Sequence, residues 1–146
     1  MPNDARIEAM FDAAKRARRR AYAPYSGFAV GAAVLDEAGA IHAGCNVENA
    51  AYPAGACAET GAISAMVASG GTRIAAILVL GAGDALCTPC GACRQRIREF
   101  ADENAAVLIA GPEGLRRSFT LGELLPESFG PDNLDRDRSS ASEPGV

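Results

Sequence analysis

Residues 74–80 read IAAILVL, a continuous apolar run with β-branched members. No polar residue in it marks a solvent face. A strand here needs cover on both sides, and a sheet held between helices supplies it. AVLIA at 106–110 repeats the pattern. The flanking stretches provide the layers. Residues 4–22 read as an amphipathic helix with Ile7, Met10, Phe11 and Ala14 on its apolar face, ended with the help of Pro24. A strand entered near Phe28, a turn at DEAG (36–39) and a second strand over 40–47 form a hairpin. Residues 56–69 read as a helix with Ile63, Met66 and Val67 at core spacing and Gly70-Gly71 as its stop. A further helix spans 89–100, with Pro89 near its first turn. After a turn at PEG (112–114) come a short strand over 116–120 and a short helix over 121–125. This order predicts a three-layer α/β/α sandwich around a mixed five-stranded sheet, one domain over 1–130. Residues 131–146, ending SSASEPGV, read as a polar, loose tail.

Composition narrows the function. The net charge is −4, which disfavours a nucleic-acid partner, since neutralising phosphates needs a basic surface. The basic run at Lys15, Arg16, Arg18, Arg19 and Arg20 reads as a solvated helix end, where cations suit the dipole. No apolar stretch approaches the roughly 20 residues that span a bilayer, and the first residues lack the apolar heart of a signal peptide. The expectation is a cytoplasmic protein without a membrane partner.

Five cysteines, Cys45, Cys57, Cys87, Cys90 and Cys93, include a C-x-x-C pair, which in a reducing compartment points to metal ligation before disulfides. Cys90 and Cys93 open one helix on a shared face, and Cys57 sits at the start of another. Helix N-termini favour thiolates. Two such starts side by side at one end of the sheet would gather three sulfurs, a donor set that zinc accepts. Three protein ligands leave one position open, and Glu59 lies two residues past Cys57. The arrangement resembles the zinc site of the base deaminases, with their non-ligand glutamate and P-C-x-x-C motif. Cys87 offers an alternative: a fourth thiolate would make a closed zinc site or an iron–sulfur cluster. Its place before Pro89 argues instead for packing as a small apolar residue. Cys45 reads as structural. His42, the lone histidine, reads as a surface or turn residue.

Several motifs in order carry a wider resemblance: YAPYSGFAVGAA (22–33), GCNVENA (44–50), CAE (57–59), PCGACRQ (89–95) and LLP (124–126). Over residues 22–134 the chain resembles the small, three-cysteine, homotetrameric cytidine deaminases. The resemblance implies one Zn²⁺ per subunit on Cys57, Cys90 and Cys93, with Glu59 as proton shuttle. It implies that Phe28 packs on the pyrimidine, that Asn46 and Glu48 bind the ribose hydroxyls, and that the Ala58 amide helps hold the base. Tyr52 and Phe129 match positions that complete a neighbouring subunit's pocket, so the tetramer shares its active sites. The implied reaction is hydrolytic deamination of cytidine and deoxycytidine to uridine and deoxyuridine, a step of pyrimidine salvage. A deaminase of a cytosine nucleoside analogue, of the blasticidin type, and a non-catalytic zinc module are the alternatives.

One position departs from that family. Its members commonly carry arginine after the glutamate, donating to the zinc thiolates; here Thr60 and Gly61 follow. The two helix dipoles remain to offset the thiolate charge, with Arg94, next to Cys93, as a candidate helper.

Overall fold

The computed structural model describes residues 1–134. Its elements are α1 (Asp4–Arg18), β1 (Gly31–Asp36), β2 (Ile41–Cys45), α2 (Ala58–Ala68), β3 (Ile74–Leu80), α3 (Gly91–Phe100), β4 (Ala106–Gly111), β5 (Gly114–Thr120) and α4 (Leu121–Leu124). Short 3₁₀ turns occupy Tyr52–Ala54 and Pro131–Leu134. The sheet order is β2-β1-β3-β4-β5, with β3 and β4 parallel and every other pair antiparallel.

The expected sandwich forms, and its faces are chemically distinct. On one side, Met10, Ala13 and Ala14 of α1 pack on Ala33, Leu35, Ala76, Leu78, Leu80, Leu108 and Ala110. Alanines on that face bring α1 close to the sheet; a Cβ on Gly31 would collide with the Ala14 carbonyl. On the other side, Ala62, Ile63 and Met66 of α2 and Ile97 of α3 cover Val34, Ile77, Val79, Val107 and Ile109. The two apolar runs are thus buried on both faces because alternate side chains meet different helices.

Element ends moved where long-range bonds compete with local propensity. α1 stops at Arg18 rather than near residue 22. Arg18 Nε donates to the Ala29 carbonyl at 2.9 Å, and the Tyr22 backbone is bonded to Asn46 and Glu48. β1 begins at Gly31 rather than near Phe28, because the Asn46 side chain binds this stretch: Nδ2 donates to Phe28 O and Oδ1 accepts from Val30 N, both at 2.8 Å. Of the expected tail, residues 131–134 form the last 3₁₀ turn, with Pro131 buried, and residues 135–146 lie outside the described residues. No helix among the described residues is long and apolar enough to cross a membrane.

One topological fact positions the site. Gly31, at the start of β1, is flanked by Cys45 at the end of β2 and Leu80 at the end of β3. The chain therefore leaves the sheet toward α2 and toward α3 from the same end.

Candidate metal centre and substrate groove

Cys57 caps α2 and Cys90 caps α3, each in extended conformation (φ −73°, ψ 158° and φ −65°, ψ 167°). A Ser, Thr, Asn or Asp at such a position usually turns its oxygen back onto the free amides of the first turn. Neither sulfur is committed to a cap hydrogen bond of regular geometry, so both remain available to another partner. Cys93 stands in the first turn of α3 and is fully buried. The three sulfurs lie within 4.8 Å of one another, the one such group of potential ligands among the described residues. A tetrahedral zinc with bonds of about 2.3 Å separates its sulfurs by roughly 3.8 Å, so small side-chain adjustments suffice.

Close backbone packing holds α2 in place. A Cβ on Gly44 would clash with Ala62 N and come 2.6 Å from Ala58 O; one on Gly61 would reach 3.4 Å from Gly44 Cα. The first turn of α2 therefore rests directly on β2, carrying Cys57, Ala58 and Glu59 with it.

Glu59 is 4% exposed. Burial pushes its carboxyl above the usual range, opposed by its own backbone N–H, the Cys93 thiol and the Arg96 charge. Burial also raises the thiols of Cys57 and Cys93, with Glu59 adding to both. For Cys90 burial is outweighed by hydrogen bonding to the Cys93 backbone and to the neighbouring thiols, and its thiol is held below the usual range. Acids crowded in this way resist ionising together, and a divalent cation is the partner that lets the thiols become thiolates. The donor set fits zinc.

A groove of about 480 Å³ runs up to Cys57, lined among others by Tyr25, Ser26, Asn46, Glu48 and Tyr52. Glu48 Oε1 accepts from the backbone N–H of Tyr25 at 2.9 Å and of Ser26 at 3.1 Å. Bonds from the Ser26 side chain and backbone hold the Glu48 carboxyl below its usual range. The Tyr25 and Tyr52 rings meet edge to face, 6.3 Å apart. Phe28 and Phe129 do not line this groove. Phe28 is 44% exposed, and its ring faces Gly81. Phe129 is 59% exposed, its carbonyl accepting from Gln95 Nε2 at 2.8 Å. A larger polar groove of about 1000 Å³, between Arg98, Asp102 and the 125–128 segment, touches none of the three sulfurs.

Two expectations are corrected. Arg94 does not approach the sulfurs: it donates to Pro89 O, Leu124 O and Thr88 Oγ1 at 2.7, 2.8 and 3.2 Å, fastening the start of α3 to neighbouring loops. His42 is not a surface residue: its Nε2 lies 2.7 Å from Asp36 Oδ2, and its side chain is 11% exposed. Cys87 packs at the edge of the core against Gly81, outside the trio, so no four-thiolate group forms. The sequence reading missed Arg96, whose Nη1 lies 3.4 Å from Cys93 Sγ. The signal was present: Cys93 and Arg96 are three apart on a helix, and such residues share a face.

Residues 4–109 match the family model for the cytidine and deoxycytidylate deaminase zinc-binding region. This chain belongs to that family. The deaminase relatives cover most of this chain. Cytidine deaminase of Sporosarcina psychrophila is 40% identical over 128 residues, covering 88% of this chain and 94% of the relative. Cytidine deaminase of Mycobacterium tuberculosis is 42% identical over 125 residues, with coverages of 86% and 90%. Among solved structures, cytidine deaminase from Burkholderia pseudomallei superposes with a TM-score of 0.78 at 43% identity, covering 84% of this chain and 98% of that one.

Proposed function

We propose that this protein catalyses zinc-dependent hydrolytic deamination of cytidine and deoxycytidine, giving uridine or deoxyuridine and ammonia. The observation that carries the reading is the juxtaposition of Cys57, Cys90 and Cys93 at two helix starts with a buried glutamate two residues along. The three cysteines would hold one zinc per subunit. Zinc held there would supply a Lewis acid that acidifies water.

The chain's own groups do the rest. Glu59, as a carboxylate, takes the proton released by the attacking water and delivers it to the pyrimidine ring nitrogen; burial, which raises its carboxyl above the usual range, makes it a stronger base for that transfer. As the carbon–nitrogen bond breaks, Glu59 moves the second proton, from the hydroxyl newly added to the ring carbon, to the departing amine, which leaves as ammonia. The Ala58 amide, in the first turn of α2, has no intrahelical acceptor and is suited to hold the base. Glu48 fixes its Oε1 on backbone amides, which orients Oε2 as an acceptor for a sugar hydroxyl. Asn46 commits Oδ1 and one Nδ2 hydrogen to the backbone, leaving its second N–H for the ribose. Phe28, half exposed and outside the groove with its ring tip beside Gly81, is assigned to the pyrimidine face by its place in the YAPYSGFAVGAA motif.

The exposure of Phe129, outside its own chain's groove, and of Tyr52, at the rim of that groove, supports a homotetramer in which these side chains meet a neighbouring subunit's pocket. The site acts in pyrimidine salvage, in the cytoplasm, on free nucleosides. Ultraviolet monitoring of zinc-loaded protein with cytidine, deoxycytidine and a cytosine nucleoside analogue tests the reading. Turnover of cytidine and deoxycytidine is expected; turnover of the analogue alone would refute it.

A further inference from the structure

Three thiolates and one divalent cation sum to a charge of −1, and the most buried of these sulfurs, on Cys93, cannot disperse its share into water. A positive group beside Cys93 would offset that charge. Few groups reach it. Thr60, following the glutamate, is neutral, with Oγ1 4.0 Å from Cys93 Sγ. Arg94 is held elsewhere by three acceptors. Arg96 projects from the exposed side of α3 and returns over one turn to set Nη1 3.4 Å from Cys93 Sγ, an ordinary N–H···S distance.

We propose that Arg96 is the charge-balancing residue of the metal centre: its guanidinium donates to Cys93 Sγ and moderates the electron donation of that thiolate. This inference rests on the cysteine trio being the zinc site. Arg96 is a positioning residue, acting through Cys93 rather than on substrate. A donor on a thiolate draws charge away from the metal, keeping it a stronger Lewis acid while fixing the ligand's orientation.

The test uses the zinc-loaded protein with Arg96→Gln and Arg96→Lys. Zinc retention is measured by competition with a chromogenic chelator, alongside kcat and KM for cytidine. Circular dichroism and size-exclusion chromatography match fold and assembly across the set. Arg96→Gln is expected to weaken zinc retention about tenfold, the lower end of the loss when a ligand's hydrogen-bond partner is removed. Its kcat falls while KM holds, because Asn46 and Glu48 are untouched. Arg96→Lys keeps a cation and retains zinc better than Arg96→Gln. Wild-type zinc retention and kcat in Arg96→Gln would overturn the inference, as would equal losses in the two variants. A wild-type protein that binds no zinc would instead remove the function proposed above, and this inference with it.

Discussion

Two acids are buried among the described residues, and they are opposites. Asp36 is 5% exposed and Glu59 is 4% exposed. Asp36 ends β1, where Oδ1 accepts from Ala38 N and Ala40 N at 2.9 Å each and Oδ2 meets His42 at 2.7 Å. The His42 hydrogen bond, over the opposing effect of burial, holds its carboxyl below the usual range. Glu59 is as little exposed but lies much deeper in the fold, so burial prevails and its carboxyl is raised. Low surface exposure alone therefore does not decide what an acid does; depth and fixed donors do. An acid whose lone pairs are matched by fixed donors is a fastener, locking the hairpin turn between β1 and β2. An acid placed among other acids beside helix N-termini keeps a proton within reach, which suits proton transfer.

This contrast can be broken at either acid. Glu59→Gln should leave zinc bound and thermal stability intact while lowering kcat by about 10³, within the range assigned to a positioned acid–base group. Near-normal turnover would remove Glu59 from the chemistry. Asp36→Ala should do the reverse. It strands the Ala38 and Ala40 amides and the His42 ring, costing about 1–3 kcal/mol of stability, with turnover per folded molecule unchanged. The pH dependence has a definite sign. Because the folded state lowers the Asp36 pKa from 3.8, its contribution is complete above that value and is lost as pH falls through the lower native one. Acid unfolding of Asp36→Ala should therefore lack that component when followed by circular dichroism from pH 6 down to about pH 2. The smallest effect belongs to Cys87→Ser. This half-buried thiol lies outside the trio, so elemental analysis should find the wild-type ratio of zinc to protein. A lower ratio would place Cys87 in the metal centre and blur the line between core and site.

Much of this was legible in the chain itself. The run IAAILVL was apolar throughout and became β3 with the expected bounds, Ile74–Leu80. Cys57, Cys90 and Cys93 could be placed at helix starts because those starts depend on nearby residues. Arg94 and Arg96 show where local reasoning fails. Both stand on α3 near Cys93, but two residues apart on a helix is a rotation of about 200°, so they face different neighbours. Arg94 meets Leu124, 30 positions away in sequence, and Arg96 meets the sulfur.

The amino-acid order by itself determined the layers, the apolar strands and the set of groups able to hold a metal, because periodicity and helix-start chemistry act over a few residues. Only the tertiary structure decided which arginine meets the thiolates, that His42 closes on Asp36, and that Asn46 spends half its bonding capacity on the backbone of 28–30. Those outcomes depend on directions in space, and a side chain acquires its direction only when distant strands and helices have packed around it.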